Sequence, residues 1–283
     1  MTPLRITTTI RAGFARGLIE LRQAFTGYDL IPQIFWPAAT LAAVFFLRNR
    51  QFQDSGFKLG TLILPSVLGM FIAFGMLLVI QYLTAEREDG TLLRAKATPD
   101  GIHAYYVGKL VTTSGTILVY LAILLVPGIF IVDGTELGTA GAWLTMAWVL
   151  VLGLVATQSI GAVLGSLISS PRGAGLAVLP VMGLISISGI FYPITALPGW
   201  LRWVAEVFPV YWLGLGMRSA LLPGGMADVE IGHSWRRLET FGVLGAWALA
   251  GLVLAPVLLG RVARRESGSR LAGYREKALQ RVG

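Results

Sequence analysis

The chain has 283 residues, of which 55% are hydrophobic and only 13% are charged. Because a typical soluble domain has about 25% charged residues, this composition excludes a compact water-soluble monomer without large apolar patches. The absence of cysteine excludes disulfides, thiol nucleophiles and cysteine-ligated metals. Several apolar runs reach the roughly 20 residues that a helix needs to cross a bilayer. Since they lack the alternating pattern of barrel strands, they predict an all-α polytopic membrane protein.

The N-terminal region, residues 1–28, is expected to form an amphipathic helix on the membrane surface. At about 100° per residue, one narrow stripe contains the apolar residues Ile10, Phe14, Leu18, Leu21 and Phe25. The charged residues off this stripe are Arg11, Arg16, Glu20 and Arg22. This pattern is typical of an interfacial helix, and the sequence offers no soluble domain on which the helix would otherwise pack.

Six membrane spans are predicted within a single transmembrane domain that covers residues 1–283. Their approximate bounds are 31–47, 60–83, 105–132, 140–168, 174–191 and 238–262. Gly161 and Gly165 form a GxxxG pattern on the fourth span, which predicts close contact with another helix. Lys109 is the ionisable residue that comes nearest to a span core, and it is expected to extend to the membrane interface.

The segment 84–101 concentrates charge between two apolar spans. Its charged residues are Glu86, Arg87, Glu88, Asp89, Arg94, Lys96 and Asp100. Gly90 is expected to end the preceding helix, and Thr91 to cap a short helix that stops before Pro99. Such a rigid polar element between two spans suits the docking of a partner protein. The alternative is a solvated loop without a partner.

Lysine and arginine residues in the loops predict the orientation of the chain. With the N-terminus inside, most of the 23 lysine and arginine residues lie on the inner side. The positive-inside rule therefore places both termini and the segment 84–101 in the cytoplasm. The C-terminal tail, residues 263–283, is basic between positions 264 and 281, and either anionic lipid headgroups or a partner protein would attract it.

The segment 192–233 is apolar but is interrupted by proline at positions 193, 198, 209 and 223. Its pieces of about 10 to 13 residues are too short to cross a bilayer. We therefore expect two short helices that dip into or lie on the outer leaflet, and a dip requires that protein or a water-filled cavity covers the broken backbone. The aromatic residues expected at headgroup depth are Trp200, Trp203, Tyr211 and Trp212.

Groups for catalysis or ion coupling are sparse. The predicted span cores contain no Asp, Glu or His, which argues against proton-coupled transport. The sequence has no GxxxxGK[ST] motif, so the chain is not expected to hydrolyse ATP. His103 and His233 lie on opposite sides of the predicted membrane and cannot share a site. The alternative function is a membrane-embedded enzyme that modifies a lipid with outer groups such as Glu206 or His233.

Two blocks of the sequence resemble one known family. Residues 86–92, EREDGTL, followed by Pro99, resemble the ERExGTL segment after the second span in membrane subunits of type 2 ATP-binding-cassette exporters. The second block is SGIFYP at 188–193, with LPGWL at 197–201 and FP at 208–209. The resemblance covers essentially the whole chain and is closest to the daunorubicin-resistance permeases of that family.

The resemblance implies a permease in the bacterial plasma membrane that pairs with a second permease copy, identical or paralogous. It further implies two cytoplasmic ATPase subunits that hold ATP and magnesium, with no cofactor, metal, catalytic residue or nucleic acid on this chain. The implied ATPase contacts are Glu86, Arg87, Glu88, Asp89, Gly90 and Thr91. The expected pathway residues are Gln33, Trp36 and Phe71. The residues that mark the outer re-entrant segment are Tyr192, Pro193, Pro198, Trp200 and Pro209.

The expected function is ATP-driven export of an amphipathic drug or lipid. Apolar and aromatic span interiors favour a lipid-like substrate, because a glycan would need dense polar groups along its path. Besides the lipid-modifying enzyme, a third possibility is an immunity or sensor protein that uses the permease fold to bind without transport.

Overall fold

The computed structural model describes residues 3–50, 58–168 and 171–265, so the basic tail beyond residue 265 lies outside the described residues. Within these ranges the regular elements are helices, which confirms the predicted all-α polytopic class. In chain order they are α1 (Pro3–Ala24), α2 (Leu30–Leu47), α3 (Leu59–Ala73), α4 (Gly75–Glu88), α5 (Thr91–Lys96), α6 (Gly101–Ile131), α7 (Ala140–Leu167), α8 (Pro171–Leu176), α9 (Val178–Ile187), α10 (Gly199–Val207), α11 (Pro209–Leu221) and α12 (Arg237–Arg265).

Most of the predicted spans appear as full-length helical segments. Among the described residues, the segments long and apolar enough to cross a membrane are Leu30–Leu47, Leu59–Glu88, Gly101–Ile131, Ala140–Leu167 and Arg237–Arg264. The predicted span at 174–191 is instead a shorter apolar segment, Gly173–Ile187, which contains the end of α8 and the whole of α9. It rises roughly 22 Å at 1.5 Å per residue, less than the ~30 Å hydrocarbon core. It ends just before Gly189, whose φ of +65° lies in the left-handed region.

Helix α1 packs on α6 through its small residues Gly13 and Gly17 and, one turn further on, through Leu21 of the apolar stripe, which lies against Gly115. A Cβ atom added to Gly13 would lie 2.6 Å from the carbonyl oxygen of Ala104, and one added to Gly17 would lie 2.7 Å from that of Gly108. The two backbones therefore approach more closely than any larger side chain allows. The stripe residues Ile10, Phe14 and Leu18 are about half exposed. Their exposure leaves an apolar face for lipid, as an interfacial helix requires.

Close contact between α4 and α7 confirms the GxxxG prediction. A Cβ atom on Gly161 would lie 2.5 Å from the carbonyl oxygen of Met76, and one on Gly165 would lie 2.9 Å from Leu83 Cδ1. Glycine at both positions lets α7 lie against the backbone of α4. This contact fixes the position of the helix that leads into the segment 84–101.

The segment 192–233 folds into short helical pieces whose starts coincide with the prolines. Pro198 precedes α10 and Pro209 is the first residue of α11, while Pro193 and Pro223 precede the 3-10 helices Ile194–Ala196 and Gly224–Val229. Proline fixes φ and lacks an amide donor, which suits the first turn of a helix. The prediction of two short helices in this segment is confirmed.

Helix α11 is buried along its whole length against α3, α7 and α12. Tyr211 and Trp212 are buried, whereas Trp200 and Trp203 on α10 are largely exposed. The depth of the four aromatic side chains at the headgroups stays a prediction, but protein covers Tyr211 and Trp212, whereas Trp200 and Trp203 remain open to the surroundings. Packing explains the difference, because three helices surround α11 and supply the cover that a dipping helix needs.

Replacing Gly161 with alanine tests the contact between α4 and α7. The new Cβ would meet backbone atoms of Met76, and overpacking of this kind costs about 1–3 kcal/mol. We expect the purified variant to unfold at a lower temperature in detergent, as followed by tryptophan fluorescence. Gly141→Ala at the start of the same helix is the matched control, because no heavy atom lies within 4 Å of its added Cβ. Equal unfolding temperatures for the two variants would contradict this packing.

Candidate coupling site at the segment 84–101

The charged segment 84–101 consists of the end of α4, a sharp turn and the short helix α5. Gly90 has a φ of +80°, which is left-handed and favours glycine, so the predicted helix break is confirmed. The Asp89 carboxylate accepts a hydrogen bond from the Thr91 amide at 2.8 Å. The expectation that Thr91 caps α5 is wrong, because Thr91 is the first residue of the helix. Its Oγ1 instead accepts a hydrogen bond from Arg94 Nη2 at 2.8 Å.

Helix α5 has one buried face and one exposed face. Leu92 and Ala95 are buried in an apolar cluster that includes Tyr105 of α6 and Leu259 of α12. On the other side, Arg94 and Lys96 are exposed, as is Asp89 just before the helix. The buried face anchors α5 to two membrane spans, and the exposed face presents charges of both signs.

Lys109 lies at the centre of a buried cluster of charges behind this helix. Its side chain is only 3% exposed, and its Nζ lies 2.5 Å from Glu20 Oε2 of α1 and also donates to Glu86 Oε1 of α4. Tyr105 Oη donates to the second carboxylate oxygen of Glu86 at 2.5 Å. Arg16 Nε donates to Glu20 Oε1 at 2.8 Å. We call Arg16, Glu20, Glu86, Tyr105 and Lys109 the Lys109 cluster.

The Lys109 cluster balances two cations with two carboxylates and joins α1, α4 and α6. Carboxylates meet the Lys109 ammonium inside the protein, and its depth at the membrane interface stays a prediction. Burial raises the pKa of Glu20, but hydrogen bonds and Coulombic attraction from Lys109 and Arg16 outweigh burial, and the net pKa is lowered. Glu20 therefore stays ionised at neutral pH, which keeps the cluster balanced.

The structure divides the six expected ATPase contacts into two groups. Glu86 turns inward to Lys109, and the Arg87 guanidinium donates to the carbonyl oxygens of Ser166 (3.3 Å) and Ile168 (2.5 Å) at the end of α7. Asp89 is exposed, Glu88 and Thr91 are partly buried, and Gly90 is buried at the turn. Glu86 and Arg87 thus connect the segment to other helices, and Asp89 is the exposed residue among the six.

Arg94 and Lys96 are exposed charges that the sequence analysis did not include among the contacts. The missed signal was the helical period within residues 91–96, which places Leu92 and Ala95 on one face and the two cations away from it. The exposed surface of Asp89, Arg94 and Lys96 is referred to below as the α5 surface.

The expected pathway residues lie in different surroundings. Tyr120 Oη of α6 donates a hydrogen bond to Gln33 Oε1 of α2, and the Phe71 ring of α3 packs edge-on against Tyr120 with centroids 5.7 Å apart. Gln33 and Phe71 therefore both contact Tyr120, and Phe71 is buried. Trp36, about one turn after Gln33 on α2, is exposed.

At the opposite end of the bundle, the side chains of Glu206 and His233 in the segment 192–233 have protein partners. Glu206 Oε1 accepts a hydrogen bond from Arg236 Nη1 at 2.5 Å, and His233 Nδ1 lies 2.7 Å from the carbonyl oxygen of Asp228. Among the residues that the structure describes, no group of three or more His, Asp or Glu side chains is arranged to hold a metal ion. Of the re-entrant markers, Tyr192 Oη donates to the Ser186 carbonyl.

Comparison with known proteins gives one family. The family model described as "ABC-2 family transporter protein" matches residues 30–257, which include every helix from α2 to α11 and most of α12. No curated protein matches the sequence. The match covers both the segment 84–101 and the segment 192–233.

Replacing Lys109 with methionine tests whether the cluster supports the fold. Removal of Lys109 leaves the partly buried carboxylate of Glu86 without its cation, while Glu20 keeps Arg16, and we expect a loss toward the lower end of the range of about 3–5 kcal/mol found for fully buried pairs. We expect a large fall in unfolding temperature in detergent. Lys96→Met removes an exposed lysine from α5 and is the control, with an unchanged unfolding temperature. Equal unfolding temperatures for the two variants would show that the cluster does not stabilise the fold.

Replacing Glu20 with glutamine tests the lowered pKa of this carboxyl group. Because its pKa in the folded protein lies below the ordinary value of 4.5, ionised Glu20 stabilises the fold above that value, and the contribution is lost as the pH falls through the lowered pKa. The variant should therefore be less stable than the wild type at pH 7, by about 1–3 kcal/mol, and the difference should shrink in acid. A difference that stays constant between pH 7 and pH 4 would argue against the assignment.

Proposed function

The chain belongs to the ABC-2 transporter family, and from this premise we propose that it exports an amphipathic drug or lipid with energy from a separate ATPase. As an ABC-2 permease it is the membrane subunit of a transporter and is not itself an ATPase. The family implies association with an ABC ATPase subunit. Two copies of that ATPase, a second permease copy and a position in the daunorubicin-resistance-like group are parts of the proposal.

The α5 surface is the observation that carries this proposal. A helix of six residues is too short to be stable alone, so its buried face against α6 and α12 must hold it in place. Asp89, Arg94 and Lys96 then form a rigid charged surface between two spans. Charged surfaces of this kind favour specific and rapid docking of a complementary partner.

Contacts behind the α5 surface supply a route by which docking at this surface would move the membrane helices. Glu86 connects the end of α4 to α6 and α1 through Lys109, and Arg87 connects it to the end of α7. A displacement of the turn at Gly90 would therefore act on three neighbouring helices. In the proposed cycle, closure of the ATPase pair supplies that displacement.

Helix α2 is the surface on which we place the substrate path and the second permease copy. Of its residues only Pro37 and Val44 are buried, while Phe35, Trp36 and Phe46 are exposed. An exposed aromatic surface suits an amphipathic substrate better than a glycan. Gln33 lies beside this surface and supplies a polar group, and Phe71 lies behind it.

The positive-inside count supports a cytoplasmic position for the segment 84–101 and for both termini, in a bacterial plasma membrane. The rival function, a lipid-modifying enzyme, gains no support from the described residues. Its candidate Glu206 is paired with Arg236, and its candidate His233 contacts a backbone carbonyl of its own loop. Neither contact leaves the free acid and base pair that such an enzyme needs.

Charge reversal on the α5 surface tests the proposed docking. Affinity-tagged chain is purified from its native membranes in mild detergent, and co-purifying ATP hydrolysis is measured together with the mass of the associated subunits. The double variant Arg94→Glu/Lys96→Glu should retain less than a tenth of the wild-type ATPase. The two new carboxylates would repel the partner surface that the two cations attract.

Lys58→Glu is the matched control, because Lys58 is half exposed at the opposite end of the bundle and pairs with exposed Asp133. It should retain the full ATPase. Co-purification that is equal in all three proteins would place the docking elsewhere, and the absence of any ATPase from the wild-type preparation would contradict the proposed function.

A further inference from the structure

A cavity of about 340 Å³ lies at the end of the bundle opposite to the segment 84–101. Its walls come from the start of α3, from the chain after α9, and from the loop after α11. They are mainly apolar and include Leu62, Ile63, Phe191, Met226 and Val229. The volume falls within the range of small-molecule sites. Gln33, Trp36 and Phe71 do not line this cavity, so it is distinct from the proposed path along α2.

The polar part of the cavity is a buried ion pair between Arg218 of α11 and Glu230. Arg218 Nε lies 2.8 Å from Glu230 Oε1, and the side chains are 8% and 2% exposed. Arg218 Nη1 donates to the carbonyl oxygens of Gly189 at 2.9 Å and Ile190 at 3.2 Å. The guanidinium is thus fixed on two sides, by the carboxylate and by the turn after α9.

Each member of this pair keeps a buried polar atom with capacity to bind. Arg218 Nη2 and Glu230 Oε2 have no hydrogen-bond partner among residues 3–50, 58–168 and 171–265. Buried charged groups rarely leave a donor or an acceptor unsatisfied, because the loss of hydration is not repaid. Both residues line the cavity, so donors of the Arg218 guanidinium and an acceptor of Glu230 lie at the edge of a largely apolar site.

The charge of the pair limits the class of ligand. Arg218 and Glu230 already neutralise each other, so a ligand with net charge would bury an unbalanced charge. A zwitterion satisfies both atoms without this cost, since its anion accepts from Nη2 and its ammonium donates to Oε2. The apolar walls suit a hydrocarbon segment joined to that head.

We propose that this cavity binds a zwitterionic amphiphile whose primary ammonium donates to Glu230 and whose phosphate or carboxylate accepts from Arg218. A phosphoethanolamine headgroup has this chemistry. The proposal is independent of docking to an ATPase, because binding is measured on the purified chain alone. Its failure would therefore leave the result at the α5 surface unaffected.

Titration of the purified chain in detergent with three short-chain phospholipids tests the headgroup. Phosphatidylethanolamine should bind at least tenfold more tightly than phosphatidylcholine, whose quaternary ammonium has no N–H donor. It should also bind at least tenfold more tightly than phosphatidylglycerol, which has a net negative charge. Equal affinities for the three lipids, or no binding of phosphatidylethanolamine by a preparation that mass spectrometry shows to be free of bound lipid, would overturn the proposal.

Two variants assign the binding to the cavity. Val229→Trp places a large side chain at an exposed wall position and should abolish binding while the ion pair remains. Val253→Trp adds the same side chain at an exposed position of α12 outside the cavity and should bind as the wild type does. Unchanged binding by Val229→Trp would refute the location.

The double variant Arg218→Met/Glu230→Leu replaces the pair with apolar residues, a change that buried ion pairs often tolerate. It should lose the preference for phosphatidylethanolamine over phosphatidylcholine. A preserved preference would show that the pair does not recognise the headgroup.

The same headgroup chemistry has two sources, a resident membrane lipid and a transported amphiphile, and detergent exchange distinguishes them. Phosphatidylethanolamine that stays bound through repeated exchange, as detected by mass spectrometry, identifies a resident lipid. Release during exchange, followed by binding on re-addition, identifies a transient ligand. Either result supports the cavity as the binding site. Phosphatidylethanolamine that is neither retained through exchange nor bound on re-addition contradicts it.

Discussion

The buried ammonium of Lys109 sets a constraint that the arrangement of helices around it must satisfy. A lone cation away from water is costly, and carboxylates must come within contact distance of it. Glu20 reaches it from α1 and Glu86 reaches it from α4. Each carboxylate sits on a different helix, so one charge on α6 fixes the positions of two other elements. The place where these three helices meet is also where the chain leaves α4 and turns into α5.

Close packing by glycine makes this electrostatic contact possible. Glu20 lies only three residues after Gly17, whose added Cβ would meet the backbone of α6. A larger residue there would push α1 away from α6 and would draw the Glu20 carboxylate away from Lys109. Gly161 and Gly165 have the same role where α7 meets α4. The short distances at the charges therefore depend on small residues elsewhere on the same helices, and the two kinds of contact cannot be separated energetically.

Local signals in the sequence predicted local features, and they failed where a distant helix decides the outcome. Gly90, the prolines of the segment 192–233 and the apolar runs act within a few residues, so the helix break, the short helices and most spans were predictable. The inward direction of the Glu86 side chain was not predictable, because its partner Lys109 lies on another helix. The burial of Tyr211 likewise depends on three helices that surround α11. The Arg218–Glu230 pair was not predictable for the same reason, because its members come from α11 and a later loop.

The two buried ion groups, at opposite ends of the bundle, differ in one respect that separates structural from binding roles. Glu86 in the Lys109 cluster uses both of its oxygens, one toward Lys109 and one toward Tyr105. Glu230 uses one oxygen for Arg218, its other oxygen has no hydrogen-bond partner among the described residues, and the residue lines a cavity. A carboxylate whose two oxygens both have protein partners gains little from a ligand and resists movement. A carboxylate with one unpartnered oxygen gains a hydrogen bond when a donor enters. The first end therefore suits transmission of a displacement between helices, and the second suits recognition of a molecule from the membrane.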